Sequence, residues 1–291
     1  MHATLRSADF VFAPRADVRL QPFSGSAWRG AFGHAFKRLV CSLRLRPCSG
    51  CPLGEVCLHP RFFGAEPESD APRPYVLAPQ RSPAGGLVRA GEPFRLRLTL
   101  LPGAEPATPY VVRALLEAAE AGLTAARVPF ACLAVRPAYP EGKGAAGDPL
   151  APVTLAPPPA PARLRLGFVT PLRLRLEGDL VTGRTLTPAM LVAAALRRAR
   201  LAGLALPAEA ARAALAEARA LAWQETRLGW LETVRVSSRQ QAAMRLGGIV
   251  GEAVLALGAA PHVWPALWLG SLLHLGKGTA MGFGGLALDA A

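Results

Sequence analysis

Residues 23–41 read FSGSAWRGAFGHAFKRLVC and place one imidazole among cations. Trp28, Phe32, Phe36 and Leu39 recur at helical spacing, which makes an apolar face on a helix that Ser24 or Ser26 can cap. At ~100° per residue, His34 lies two positions from both Phe32 and Phe36 and points away from that face. Gly30, Lys37, Arg38 and Cys41 fall on the same side as His34. An imidazole titrates near neutrality and can take or give a proton, and neighbouring cations can hold phosphate charge beside it. The bland alternative is an ordinary histidine on a solvated face.

A second chemical signal ends the chain. Residues 276–285 read GKGTAMGFGG, with Gly276, Gly278, Gly282, Gly284 and Gly285. Glycines let a backbone approach a ligand and turn through positive φ, and free N–H groups in such a loop can cradle an anion. The phosphate-binding P-loop is excluded, because Gly278 rather than Ser or Thr follows Lys277. A dinucleotide fingerprint on Gly282, Gly284 and Ala287 is excluded because only four residues follow Ala287. What remains is a loop packed on a phosphate backbone, with Lys277 on phosphate and Thr279 within the loop, or a structural glycine turn between strands.

Cys41, Cys48, Cys51 and Cys57 stand six, two and five residues apart. The central CxxC suits a tetrahedral metal. With no export signal in the sequence, four thiols this close favour metal over disulfides, with structural zinc preferred to an iron–sulfur cluster. Four thiolates would leave no open position, so the metal is given no catalysis; His59 could replace one cysteine, and reduced thiols without metal are the alternative. Cys132 sits in an apolar strand and reads as core. Residues 236–251, VSSRQQAAMRLGGIVG, offer Ser237, Ser238, Arg239, Gln240 and Gln241 as donors for phosphate or base edges, and Gly247 with Gly248 marks a turn or a close approach.

The 291 residues carry 33 Lys plus Arg against 20 Asp plus Glu, a formal net charge of +13. That balance favours a polyanion such as nucleic acid. Thirty of the 33 are Arg, a bias that a GC-rich genome also produces. Arg29, Arg44, Arg46, Arg95, Arg97, Arg173 and Arg175 are either a solvated face or a basic track. With 51% hydrophobic and 18% charged residues, a disordered chain is excluded. No helix–turn–helix pattern supports a zinc-containing regulator of duplex DNA. Arg6, Asp9, Arg15, Asp17 and Arg19 break any apolar signal core. Residues 253–276 carry no formal charge, yet Pro261 and Pro265 divide them into two short buried elements rather than one spanning helix. The expectation is a cytoplasmic protein with no membrane partner.

Residues 151–162, within LAPVTLAPPPAPA, form a stiff linker between domains at 1–150 and 163–291. Pro- and Gly-rich residues 47–92 read as an insertion, Cys-rich and metal-binding from about residue 41. Each half starts strand then helix and returns to strands. Strands are expected at 4–12, 94–100, 131–135, 163–169, 172–176 and 231–236. Helices are expected at 26–40, 110–121, 187–201 and 207–222, with Thr187 as an N-cap; residues 248–257 fit either state. The pattern implies an α+β fold of two tandem ferredoxin-like domains.

These pieces together resemble a known family. GSAWRGAFGHAFKRLVC, three spaced cysteines, SSRQQ with its GG, and LLHLGKGTAMGFGG are similar to the CRISPR precursor-RNA processing endoribonucleases of the repeat-associated mysterious protein (RAMP) superfamily. The similarity lies at about 22–60 and 235–288, and the glycine-rich tail is its most specific part. The resemblance implies a tandem ferredoxin-like protein that binds the CRISPR repeat RNA and cuts once within it without metal. The 2′-hydroxyl attacks the adjacent phosphate and leaves a 2′,3′-cyclic phosphate and a 5′-hydroxyl. It implies His34 as general acid or base, with His274 in reserve, and Lys37 or Arg38 stabilising the transition state. Arg29 would position phosphate, while Ser238, Arg239, Gln240 and Lys277 with the loop glycines would hold RNA. The alternative is a non-catalytic RAMP subunit on guide RNA, with other effector-complex subunits as partners; a homodimer is left open.

Overall fold

Alternation decides the first sheet. In FRLRLTL, Phe94, Leu96 and Leu98 turn inward and Arg95 turns out, as a half-buried strand requires. The computed structural model describes residues 2–44, 46–64, 72–139, 147–237 and 242–291, and the chain divides into two compact units, Leu5–Val153 and Thr154–Ala291 with Met1–Thr4.

The first unit runs β1 (Ala3–Pro14), α1 (Gly25–Val40), α2 (Leu58–Phe63), β2 (Tyr75–Pro79), β3 (Phe94–Leu100), α3 (Thr108–Ala121) and β4 (Phe130–Pro137). Its sheet is ordered β2-β3-β1-β4, antiparallel at each of these pairings. α1 lays Trp28, Phe32 and Phe36 on this sheet, all fully buried. Trp28 stacks on Phe12 at 5.2 Å and meets Phe130 edge-on at 5.5 Å. α3 adds Val111, Ala114, Leu115 and Ala118 to the same core.

Residues 41–92 differ from the expected loop. They contain α2 and also β2, an edge strand of the sheet whose Tyr75 and Leu77 are fully buried. α2 is anchored by Phe62, tilted against Phe36 at 4.9 Å, and by Phe63, 5.2 Å from Phe32. The segment is therefore tied to the core by aromatic packing.

The second unit runs β5 (Arg163–Leu172), α4 (Pro188–Leu201), α5 (Ala208–Ala220), β6 (Glu225–Ser237), β7 (Ala242–Ala256), α6 (Val263–Leu273) and β8 (Leu286–Ala290). Its sheet is ordered β6-β7-β5-β8 and is antiparallel throughout. The Thr187 hydroxyl accepts the Met190 N–H at 3.2 Å and starts α4. Residues 248–257, open between helix and strand in the sequence, lie almost wholly in β7. The charge-free stretch splits into the end of β7, a turn and the buried helix α6. Among the described residues no helix is long and apolar enough to cross a membrane.

In both units the main strands and helices follow strand–helix–strand–strand–helix–strand order, with the second, third, first and fourth strands side by side. This connectivity is the split βαβ pattern. It gives a mixed α+β fold in which α1 begins just after the first strand of one unit, and the glycine-rich segment joins α6 to the last strand of the other.

Candidate nucleic-acid interface

α1 presents its chemistry outward. His34, Gly30 and Arg38 are exposed and Lys37 is half-buried. Lys37 and Arg38 occupy the last turn, where the helix dipole favours cations. Open space lies beyond Gly30, whereas a Cβ on Gly33 would come within 2.9 Å of the Phe63 ring. Gly33 is thus where α2 seats against α1. Arg29 behaves differently from the other cations. Its guanidinium lies over the Phe63 ring, 5.3 Å from the centroid. Beneath this cluster, burial pushes the Tyr75 hydroxyl up to about 12, against the opposing pull of Arg29 and Arg73. Arg29 is therefore part of the aromatic packing.

The cysteine segment does not assemble the expected sphere. Cys41, Cys48, Cys51 and Cys57 are free and half-buried. The Cys48 thiol lies 3.5 Å from Nδ1 of His59, whose ring stacks on Phe63. Among the described residues, no group of three or more His, Cys, Asp or Glu side chains is placed to hold a metal ion. His59 stacks on Phe63, and Phe62 and Phe63 pack against Phe36 and Phe32 of α1. Cys132, expected in the core, is exposed. It lies beside a register shift between Val11 and Phe12 of the neighbouring strand.

The glycine-rich segment is a tightly packed structure. Gly276, Gly278, Gly282 and Gly284 all have positive φ. A Cβ on Gly276 would sit 2.3 Å from the Arg173 carbonyl oxygen, and one on Gly284 only 1.8 Å from that of Leu275. The loop's N–H groups bond to residues at or just past the end of β5 and to the loop itself. Lys277 N–H donates to the Arg173 carbonyl, Gly284 N–H to that of Pro171, and Phe283 N–H to that of Gly278. Thr279 is buried, while the Lys277 side chain is exposed. His274, at φ 57°, turns Nδ1 towards the carbonyl oxygens of Gly282 and Phe283 at 3.1 and 3.0 Å. The imidazole braces the loop.

The expected basic track is partly neutralised. Arg97 donates twice to Asp9, at 2.7 and 2.8 Å, and Arg95 approaches the same carboxylate at 3.6 Å. Arg175 bonds to the carbonyl of Gly178. Ser238, Arg239, Gln240 and Gln241 lie outside the described residues. Gly247 and Gly248 do mark close approaches: Cβ atoms there would meet Trp230 Nε1 at 2.3 Å and the Leu172 carbonyl oxygen at 2.8 Å.

Comparison with known proteins places this geometry. Residues 166–286, the span that holds most of the second sheet and the glycine loop, match the family of the CRISPR-associated endoribonuclease Cas6. That span belongs to the Cas6 family. Residues 3–151 match a family described as an N-terminal domain. No curated protein sequence matches the chain. Among solved structures, Thermus thermophilus Cas6 is similar over 99% of each chain, at 16% identity and a TM-score of 0.61. A Cas6 product complex covers 98% of this chain and 100% of its own, at 19% identity and a TM-score of 0.61. A second Cas6 product complex covers 99% and 100%, at 18% identity and a TM-score of 0.59. At these identities the likeness establishes the fold.

Within this span, sequence reasoning missed Thr170. Its hydroxyl donates to the Gly282 carbonyl at 2.6 Å and accepts the Gly285 N–H at 2.7 Å, which pins the loop to β5. The sequence signal was a lone hydroxyl after Phe168 and Val169 near the end of the strand. The candidate reactive side chains lie in one unit and the glycine loop in the other.

Proposed function

We propose that this protein binds the repeat RNA of a CRISPR transcript and cuts it once per repeat by metal-independent transesterification. His34 accepts the proton of the ribose 2′-hydroxyl, or donates one to the leaving 5′-oxygen. The 2′-oxygen bonds to phosphorus as the bond to the 5′-oxygen breaks, giving a 2′,3′-cyclic phosphate and a 5′-hydroxyl. Lys37 and Arg38 offset charge developing on the phosphorane. Lys277, exposed on a loop braced by His274 and Thr170, contacts phosphate. The observation that carries this reading is the exposed His34 on a helix face left open at Gly30 and flanked by cations.

Incubating the protein with repeat RNA in EDTA tests it. The expected product has a cyclic phosphate end, and a 2′-deoxy substitution at the attacking sugar abolishes it. Tight binding without cutting favours a non-catalytic guide-RNA subunit, and cutting of the deoxy substrate overturns the chemistry.

A further inference from the structure

Trp230 lies on β6 with 40% of its surface exposed. A single exposed aromatic is ordinarily unremarked surface. This one is held flat. Its indole N–H donates to Glu232 Oε2 at 2.9 Å, which fixes the ring's orientation. On the neighbouring strand Gly247 lies opposite Glu232, and any side chain there would intrude to within 2.3 Å of the indole nitrogen. The glycine is what lets the ring lie down on the strand.

Contacts lead from that ring to the glycine loop within a single unit. Arg173 Nη1 donates to the Gly247 carbonyl at 2.9 Å, which sets a guanidinium beside the plate. The Arg173 carbonyl in turn accepts the Lys277 N–H at 2.8 Å. On the other side of Trp230 along β6 runs a groove of about 720 Å³, lined by Gly183, Arg184, Trp223, Arg227, Leu228 and Gly229. An exposed ring with a guanidinium near one edge and an open groove farther along its strand matches how proteins hold unpaired nucleotides. The base stacks on the ring while the cations follow the phosphates.

We propose that Trp230 is a stacking platform for one unpaired base of the bound RNA, with Arg173 and Lys277 on the adjacent phosphates. This deepens the functional reading above and rests on it. Glu232 Oε2 accepts the indole N–H, and Arg173 and Lys277 are the cations this reading offers to phosphate.

The test is a binding series with repeat RNA in which each nucleotide in turn is made abasic, using the full-length protein and its Trp230→Ala and Trp230→Phe variants. Trp230→Ala should weaken binding by roughly five- to a hundredfold, the range for loss of one stacked base, with Trp230→Phe recovering most of it. One abasic position should weaken the parent protein and have no further effect in Trp230→Ala. The salt dependence of Trp230→Ala should match the parent, because the ring touches no phosphate. If Trp230→Ala binds within twofold of the parent, or no abasic position loses its effect, the platform is wrong while the functional reading stands. If the parent neither binds nor cuts repeat RNA, the functional reading itself falls.

Discussion

The outward face of α1 and the glycine loop are the two regions that sequence alone marks most strongly, and they are built on opposite principles. On α1 the backbone is an ordinary helix and the side chains carry the chemistry: His34 and Arg38 are exposed, and Gly30 opens onto solvent. In the loop the backbone is the specialised part. Its glycines are required by positive φ and by carbonyls that no side chain could clear, and Lys277 is its one exposed cation. The contrast separates two kinds of fragility. Substitution on the outward face of α1 should remove chemistry and spare the fold, whereas substitution of the loop's glycines should disturb the fold first.

The sharpest break in this comparison is His34→Ala. Loss of a general acid or base should slow single-turnover cleavage by roughly 10²–10⁴-fold. Thermal stability and RNA affinity should stay near the parent's, because the side chain is exposed. Gly284→Ala should do the reverse. Forcing a Cβ against the Leu275 carbonyl at positive φ should cost about 1–3 kcal/mol, read as a fall in Tm of several degrees with weaker RNA binding. Lys277→Ala should keep the Tm and lower the salt dependence of single-strand binding by about 0.7 log units per log unit of salt. The smallest effect is expected at Gly30. Alanine there meets nothing within 4 Å. Relief of glycine's helix penalty should add roughly 0.5–1 kcal/mol, a rise in Tm of a few degrees. A fall in Tm would show that the helix face is not open.

Much of the frame was legible because its signals are local. The 3.6-residue recurrence of Trp28, Phe32 and Phe36, the Thr187 cap and the alternation of β3 each rest on a few neighbouring residues. β2 was hidden: five residues ending in Pro79, inside a Pro- and Gly-rich run, carry too little periodicity to stand out. Their burial comes from Phe32 and Phe62 packing on Tyr75, which is long-range information. The ring under Arg29 was hidden for a similar reason, since Phe63 lies on another helix. The glycine loop was recognised as a motif, but two of its braces were not. Thr170 is more than a hundred residues away, and His274 acts through a backbone turn that no residue pattern announces.

That histidine's geometry concentrates support on one point. Two carbonyl oxygens face Nδ1, so this nitrogen carries hydrogen, and in the neutral ring the lone pair belongs to Nε2. One imidazole nitrogen thus serves two successive carbonyls of the turn. A side chain that cannot offer a hydrogen there would release both carbonyls together, so the loop's closure hangs on a single atom.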